Sequence, residues 1–454
     1  MTRFSQNILV FFLLLIFTGN EVLSQENKFK EQDNITLQLL DSLWINPTSF
    51  FNKDDPNWRA LCENLHHIEL SNLNQITHTI FYGTDAKILN DTKASEGVVG
   101  SLNKSANRKK NKKFSKKIRK GFRDRKKFPD NKVVLIEGDS WFEYPYFIHE
   151  ITDNLIKQDE LAIYSLAYGG DWVSNMISTH QYQFEYVKLK PDVFIISGGG
   201  NDILGDSRLA SLVNMNPIDS GSEFLNNYRN YVILRHNSKP VPMCNGSYCP
   251  AEYHEYKDEM PELENQVDSL TVEQIVNGRR YINKRFYRWL VSLKLEYKIL
   301  IESLRKIDVE HFDSLKIITQ GYDYSIPSFD RKFGIRMFLS NGDWLKEPLM
   351  LKGIMDQQTQ EDVVKAMMFD FNEMMIELGK EYQNIYHVDV RGFTQYLEQH
   401  DHKKKGQYWF DELHPKSKVF KQISDSYTTL IMDNFKEYHK VVNVIEHHRL
   451  GENY

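Results

Sequence analysis

The sequence predicts an α/β fold: a three-layer doubly wound parallel sheet with a largely helical insertion and an N-terminal extension. The first observation is a series of short apolar, β-forming runs that end in glycine and polar residues, as in 133–142 and 192–202. Strands buried on both faces of a parallel sheet have continuous apolar runs of this kind. The second observation is that segments with helical spacing separate these runs, which favours a sheet covered by helices on both faces.

Five strands are predicted to alternate with helices from residue 133 onward. They lie at 133–136, 163–167, 193–196, 315–320 and 384–389. The alternation is interrupted by an insertion at about 206–312. This insertion ends in a helix whose apolar residues, from Phe286 to Leu304, recur at helical spacing and are expected in the core.

The length and composition are those of a soluble globular protein larger than one small α/β core. The chain has 454 residues, of which 41% are hydrophobic and 26% charged, so neither general disorder nor a multi-span membrane protein is expected. The predicted divisions are a signal peptide (1–24), an N-terminal extension (25–103), a basic linker or arm (104–128), the main domain (129–437) and a C-terminal tail (438–454).

The N-terminus has the pattern of a cleavable signal peptide. Arg3 precedes an apolar run at 8–17, and Val22 and Ser24 suit a cut after residue 24. The protein is therefore expected to be secreted or periplasmic. An uncleaved membrane anchor is the competing interpretation.

The sharpest change in composition runs from Lys104 to Lys127. This segment holds 14 Lys or Arg and one acid, a charge of +13, so the rest of the chain carries −18 of the total −5. It is interpreted as a solvated, partly helical linker folded against acidic surface, or as a binding patch for an anionic polymer or membrane surface. No specific nucleic-acid binding is expected, because base-stacking aromatics do not interleave with the charges.

No metal site and no cofactor are predicted. The adjacent His66 and His67 cannot share one helix face, and His400 and His402 belong to a lysine-rich loop. The three cysteines leave two alternatives open after export: a Cys244–Cys249 bridge with Cys62 unpaired, or three unlinked thiols.

Four segments place reactive groups where predicted strands end or a helix begins. Ser140 follows the first strand, Gly170 the second and Asn201 the third, while Asp411 and His414 precede the last helix. Open α/β sheets bind ligands at this edge. A hydroxyl, a glycine amide, a carboxamide and an imidazole beside a carboxylate are the groups that an acyl-transfer site needs.

The order Gly-Asp-Ser, Gly, Gly-x-Asn-Asp and Asp-x-x-His-Pro resembles the SGNH, or GDSL-type, hydrolase family. The run 138–145 with the triple glycine before Asn201 is similar to a secreted bacterial branch of it. The resemblance implies that Ser140 is the nucleophile, His414 the base and Asp411 its orienting partner. It also implies an oxyanion hole made of the amides of Ser140 and Gly170 and the side chain of Asn201.

Other residues near these motifs receive supporting roles. Asp139 and Asp202 are expected to fix turns through hydrogen bonds to backbone amides. Trp141 and Tyr144 follow the nucleophile and are candidates for lining the substrate cleft. Asp323 and Tyr324 follow the fourth strand; they either line the cleft or pack on the sheet.

The sequence therefore predicts a secreted serine ester hydrolase acting on a carbohydrate O-acyl group or a lipid ester. One alternative is an O-acyltransferase that uses the same residues and excludes water. The other is a catalytically inactive glycan-binding or lipid-binding protein, against which the complete set of motif residues argues.

Overall fold

The computed structural model describes residues 56, 98–144, 148–204, 208–239, 256–328, 344–433, 435 and 440–451. The predicted signal peptide, most of the N-terminal extension, the three cysteines and His66 and His67 lie outside these residues. In the described part, no helix is both long enough and apolar enough to cross a membrane.

A six-stranded parallel sheet forms the centre of the molecule, which confirms the predicted fold class. Its strands are β1 (Lys132–Glu137), β2 (Leu161–Ser165), β3 (Val193–Ile196), β4 (Lys316–Gln320), β5 (Ile385–Asp389) and β6 (Val441–Asn443). The spatial order is β2-β1-β3-β4-β5-β6. The chain moves from β1 to the edge strand β2 and then returns past β1 to β3. A topological switch point therefore lies between β1 and β3.

Helices cover both faces of the sheet. Those before β4 are α1 (Val98–Arg119), α2 (Ile151–Leu155), α3 (Val173–Thr179), α4 (Gln181–Leu189), α5 (Gly200–Leu204), α6 (Arg208–Leu212), α7 (Glu223–His236), α8 (Met260–Asn265), α9 (Ser269–Arg279), α10 (Lys284–Ile307) and α11 (Val309–Ser314). Those after β4 are α12 (Lys346–Leu351), α13 (Gln357–Lys380), α14 (Phe393–His400), α15 (Ser417–Met432) and α16 (Val444–Gly451). The described part of the predicted insertion is helical, and α10 buries the apolar residues expected in the core, among them Phe286, Trp289, Leu293 and Tyr297.

The end of the chain differs from the sequence prediction. The sequence predicts five strands and a tail at 438–454, but β6 pairs in parallel with β5 and α16 follows it. A strand of three residues is too short to give a recognisable apolar run, which is why sequence reasoning missed it.

The basic segment is largely a helix that packs on the sheet. Asn103, Asn107 and Asn111 of α1 bond to backbone groups of Gly169, Ala167 and Ser165 beside the edge strand β2. Both interpretations of the basic segment, the folded linker and the binding patch, remain predictions.

Lys110 joins α1 to the loop that follows β1. Its ammonium group is buried and forms ion pairs with Glu143 at 2.5 Å and with Glu150. Burial disfavours the charged form of Lys110, but these two carboxylates outweigh that effect and raise its pKa. Because Glu143 lies three residues after Ser140, α1 helps to hold the loop that carries the predicted nucleophile.

Candidate active site

The turn that carries Ser140 is fixed by hydrogen bonds to the buried side chain of Asp139. The Asp139 carboxylate accepts hydrogen bonds from the backbone N–H of Trp141 at 3.1 Å, from the Ser197 hydroxyl at 3.3 Å and from the Tyr322 hydroxyl. Burial raises the pKa of Asp139 despite these donors. The expectation that Asp139 fixes the turn is thus confirmed, and the turn presents Ser140 at the carboxyl end of β1.

A compact loop holds Asp411 and His414 in one turn before α15. The backbone N–H of Phe410 donates to the His414 carbonyl at 2.8 Å. The Asp411 carboxylate accepts from the backbone N–H groups of Leu413 and His414, each at 2.8 Å. These bonds fix the carboxylate beside the imidazole ring.

Ser140, His414 and Asp411 form a continuous hydrogen-bonded chain. Ser140 Oγ lies 2.7 Å from His414 Nε2, and His414 Nδ1 lies 2.8 and 2.9 Å from the two Asp411 carboxylate oxygens. Burial opposes ionisation of Asp411, but the His414 ring and the backbone donors outweigh it and lower the pKa of Asp411. An ionised Asp411 favours the tautomer with a proton on Nδ1, which leaves Nε2 free to accept the proton of Ser140.

The predicted oxyanion donors lie at the ends of β1, β2 and β3. Gly170 is exposed, has φ +90° and has open space where a Cβ would stand, so a substrate can approach its backbone closely. Within the described residues, the backbone N–H groups of Ser140 and Gly170 donate to no other group. Asn201 Nδ2 donates to the Asp171 carbonyl at 3.2 Å, which ties Asn201 to the Gly170 loop.

Asp202 supports this loop from inside the protein. Its carboxylate accepts from the backbone N–H of Val173 at 3.4 Å, as expected for a residue that fixes a turn. Burial raises the pKa of Asp202 to about 6.

Of the two aromatic residues expected to line the cleft, Tyr144 packs beside His414 and Asp411. Its ring centroid is 4.5 Å from that of His414, and its hydroxyl is 3.5 Å from the Asp411 carboxylate. Trp141 is buried, and its indole N–H donates to the Leu413 carbonyl at 3.1 Å. Trp141 therefore supports the His414 loop from inside, and its predicted contact with substrate is wrong.

Asp323 and Tyr324, predicted either to line the cleft or to pack on the sheet, are both buried. The buried Asp323 carboxylate accepts from the backbone N–H groups of Gly392 and Thr394, at 2.7 and 2.8 Å, and so fixes the start of α14. Burial raises the pKa of Asp323 to about 6. Tyr324 is also buried, with the ammonium of Lys365 5.2 Å from its ring centroid. Neither side chain is free to line a cleft.

Sequence reasoning missed Tyr322 and Glu412. Tyr322 follows β4 at the same sheet edge as Asp323, and this position was the available signal for it. Glu412 lies inside the last motif, but its buried carboxylate bonds to the backbone N–H groups of Ser328, Leu345 and Lys346, which no local pattern indicates.

Within the described ranges, no three His, Cys, Asp or Glu side chains are grouped as metal ligands.

No model of a known protein family matches the chain, and no curated protein matches it. Among solved structures, the chain is similar to a catalytic mutant of Axe2, an acetylxylan esterase from Geobacillus stearothermophilus, with 9% identity and a TM-score of 0.30. It is also similar to another Axe2 mutant from this organism, described as an acetyl-xylooligosaccharide esterase, with 10% identity and a TM-score of 0.29. Both comparisons cover 68% of this chain and 96% of the other. Similarity at this level assigns neither activity nor substrate, so the functional argument depends on the geometry of the site.

Proposed function

We propose that this protein is a serine ester hydrolase of the SGNH type, secreted or periplasmic, that cleaves a carboxylic ester through an acyl-enzyme. The observation that supports it is the hydrogen-bonded chain from Asp411 through His414 to Ser140 at the sheet edge. The proposed substrate is an ester of a carbohydrate or a lipid.

In the first half of the reaction, Ser140 Oγ attacks the ester carbonyl while His414 Nε2 takes its proton. The Ser140 and Gly170 amides and the Asn201 side chain donate to the oxyanion, and each such donor is typically worth about 3 kcal/mol in the transition state. Collapse of the tetrahedral intermediate breaks the bond to the alcohol oxygen. The departing alcohol takes the proton from His414 and leaves the acyl group on Ser140.

In the second half, water replaces the alcohol. His414 Nε2 accepts a proton from the water as its oxygen attacks the acyl carbon, and the same donors hold the second oxyanion. Collapse breaks the bond to Ser140 Oγ, which regains its proton from His414, and the free acid leaves. Asp411 stabilises the imidazolium in both halves.

Replacing the nucleophile or the base should abolish activity without unfolding the protein. We expect Ser140→Ala and His414→Ala each to lower kcat on an aryl acetate by about 10⁴-fold or more, and Asp411→Asn to be milder. Ser140→Ala should also prevent labelling by a fluorophosphonate. Turnover, labelling and circular dichroism spectra measured on the same samples separate lost chemistry from lost structure.

Ser314→Ala is the matched control, since this exposed serine bonds only to the His311 carbonyl among the described residues. It should keep full turnover. Wild-type turnover in Ser140→Ala would refute the proposal. Release of free acid in the absence of an acceptor alcohol would separate hydrolysis from acyl transfer.

A further inference from the structure

A groove lies beside the candidate active site, between α1 and residues 164–181. Its volume is about 620 Å³, within the range of pockets that hold small ligands. Tyr168 and Asp171 line it and stand on either side of Gly170 in the sequence. The groove therefore reaches the loop that carries a predicted oxyanion donor.

Two cations of α1 line the groove without a partner. Lys104 and Arg108 are one helical turn apart, so they project on the same side of the helix. Both are exposed, and within the described part of the chain neither forms an ion pair or a hydrogen bond. Lys110, on the same helix, is already neutralised by Glu143 and Glu150. The two unpaired cations favour an anionic ligand.

Two polar atoms in the groove wall lack partners as well. Ser165 is 1% exposed, and its hydroxyl has no hydrogen-bond partner among the described residues. Asn107 Nδ2 donates to the Ala167 carbonyl at 2.7 Å, but Asn107 Oδ1 is buried without a donor. A buried polar atom without a partner costs about 1–3 kcal/mol. Because Asn107 Oδ1 can only accept, its missing partner must supply a donor such as a hydroxyl group.

The carboxyl groups of the groove do not oppose an anion at mildly acidic pH. Burial, together with the charge of Asp171, raises the pKa of Glu137 well above its usual range. Burial also raises the pKa of Asp171 to about 7. Below pH 7 Asp171 is mainly neutral and can donate a hydrogen bond, and the raised pKa of Glu137 acts in the same direction.

We propose that this groove binds an acidic saccharide, a hydroxylated ring that carries a carboxylate. Lys104 and Arg108 pair with the carboxylate, while Ser165 and Asn107 bond to ring hydroxyls. An ester elsewhere on the bound saccharide would lie near Gly170 and Ser140. This last step rests on the proposed hydrolase function, whereas binding itself does not.

Calorimetric titration of the full-length protein at pH 6 tests the site. The probes are a short oligogalacturonate, a neutral galacto-oligosaccharide of equal length, and inorganic sulfate. We expect the oligogalacturonate to bind most tightly, because it alone supplies both the charge and the hydroxyl donors. The double variant Lys104→Ala/Arg108→Ala should weaken binding at least about ten-fold, a loss of roughly 1.4 kcal/mol.

The matched control is Lys112→Ala/Lys113→Ala, which removes the same charge from exposed positions of α1 outside the groove. It should change affinity by less than about two-fold at physiological salt, where exposed charges are screened within about 8 Å. Ser165→Ala should weaken binding without lowering Tm, since its hydroxyl has no partner to lose within the described protein.

Equal losses in the two double variants would show only diffuse attraction to a basic helix and would overturn the proposal. So would equal binding of the neutral oligosaccharide, or unchanged affinity in Ser165→Ala. A protein that binds oligogalacturonate but never hydrolyses an aryl acetate would refute the hydrolase function alone. One that hydrolyses the ester without binding oligogalacturonate would refute the groove alone.

Discussion

At the scale of single residues, Glu412 links the loop that carries Asp411 and His414 to two distant segments. Its buried carboxylate accepts from the backbone N–H groups of Ser328 at 2.8 Å and of Leu345 and Lys346, each at 3.1 Å. Asp411 precedes it directly and His414 follows two positions later. Glu412 is therefore a positioning residue for the pair that is proposed to activate Ser140.

Replacing the Glu412 carboxylate by an amide should disturb this link. In Glu412→Gln one oxygen becomes an NH2 group that cannot accept from a backbone N–H, and an unsatisfied buried donor costs about 1–3 kcal/mol. We expect a loss of this size in the free energy of unfolding, measured with urea. We also expect slower fluorophosphonate labelling of Ser140 under conditions where the variant is fully folded.

Glu347→Gln is the control, since Glu347 is exposed on α12 near the same segment. It should change neither stability nor labelling. Wild-type labelling in a destabilised Glu412→Gln would reduce Glu412 to a purely structural role.

The groups of the candidate site could be identified from sequence because each lies in a short motif at the end of a strand or before a helix. Their supports could not, because these depend on residues far away in the chain. Glu412 bonds to residues 66 to 84 positions distant, and Tyr322 is 183 positions from Asp139. Trp141 shows the opposite error: adjacency to Ser140 suggested contact with substrate, but the ring packs inward.

At the scale of secondary structure, the spacing of three asparagines along α1 nearly equals the spacing of their backbone partners in and after β2. Three asparagines four residues apart advance by about 6.0 Å each along a helix. Their partners at 165, 167 and 169 are two residues apart, which is about 6.6 Å along a parallel strand, although only Ser165 belongs to β2 itself. The near equality lets one helix face satisfy backbone groups at an edge that would otherwise pair with another chain.

Asn111 should contribute most to this contact, because its two bonds to the Ser165 backbone, both at 2.9 Å, are shorter than the two that Asn103 forms with Gly169 at 3.4 Å. Asn111→Ala removes both bonds and leaves a buried N–H and C=O unpaired. We expect about 1–3 kcal/mol less stability in urea unfolding, together with a greater tendency to aggregate in light scattering. Lys116→Ala, exposed on the same helix, should show neither effect; equal behaviour of the two variants would contradict the role given to Asn111.

Sequence reasoning assigned the strands around the motifs correctly but described α1 mainly by its charge. Apolar runs identify strands because burial requires them, whereas α1 docks through three asparagines, one buried lysine and the buried Phe114, which give only a weak apolar signature. The partners of Lys110 lie 33 and 40 positions away. Only the folded chain shows that one cation of the basic segment is buried.

At the scale of the whole molecule, several carboxyl groups are buried near the carboxyl edge of the sheet. Burial raises the pKa of Glu137 and Asp139, and brings those of Asp171 and Asp202 to about 7 and about 6. A carboxyl whose pKa is higher in the folded than in the unfolded protein stabilises the fold at low pH. This stabilisation is lost as pH rises through the folded-state value.

Asp171 allows this effect to be isolated. Its contribution should decline from about pH 4 to about pH 7, with a slope of at most about 1.4 kcal/mol per pH unit. His236 and His387, whose pKa values burial lowers to about 4, act in the opposite direction below pH 6.5. We therefore expect the free energy of unfolding of the wild type, measured with urea relative to that of Asp171→Asn, to fall as pH rises to 7. A difference independent of pH would contradict the raised pKa of Asp171.

The buried position of Asn103 bears on how the protein should be produced. Asn103, Lys104 and Ser105 form an acceptor triplet for N-linked glycosylation. The folded protein leaves the Asn103 side chain 0% exposed, with its amide between α1 and the Gly169 backbone. A glycan attached before folding would occupy this contact and keep α1 off the sheet. Expression in a host that leaves asparagine unmodified preserves the contact. In a glycosylating secretory pathway, part of the product would carry the glycan and could not dock α1 on the sheet.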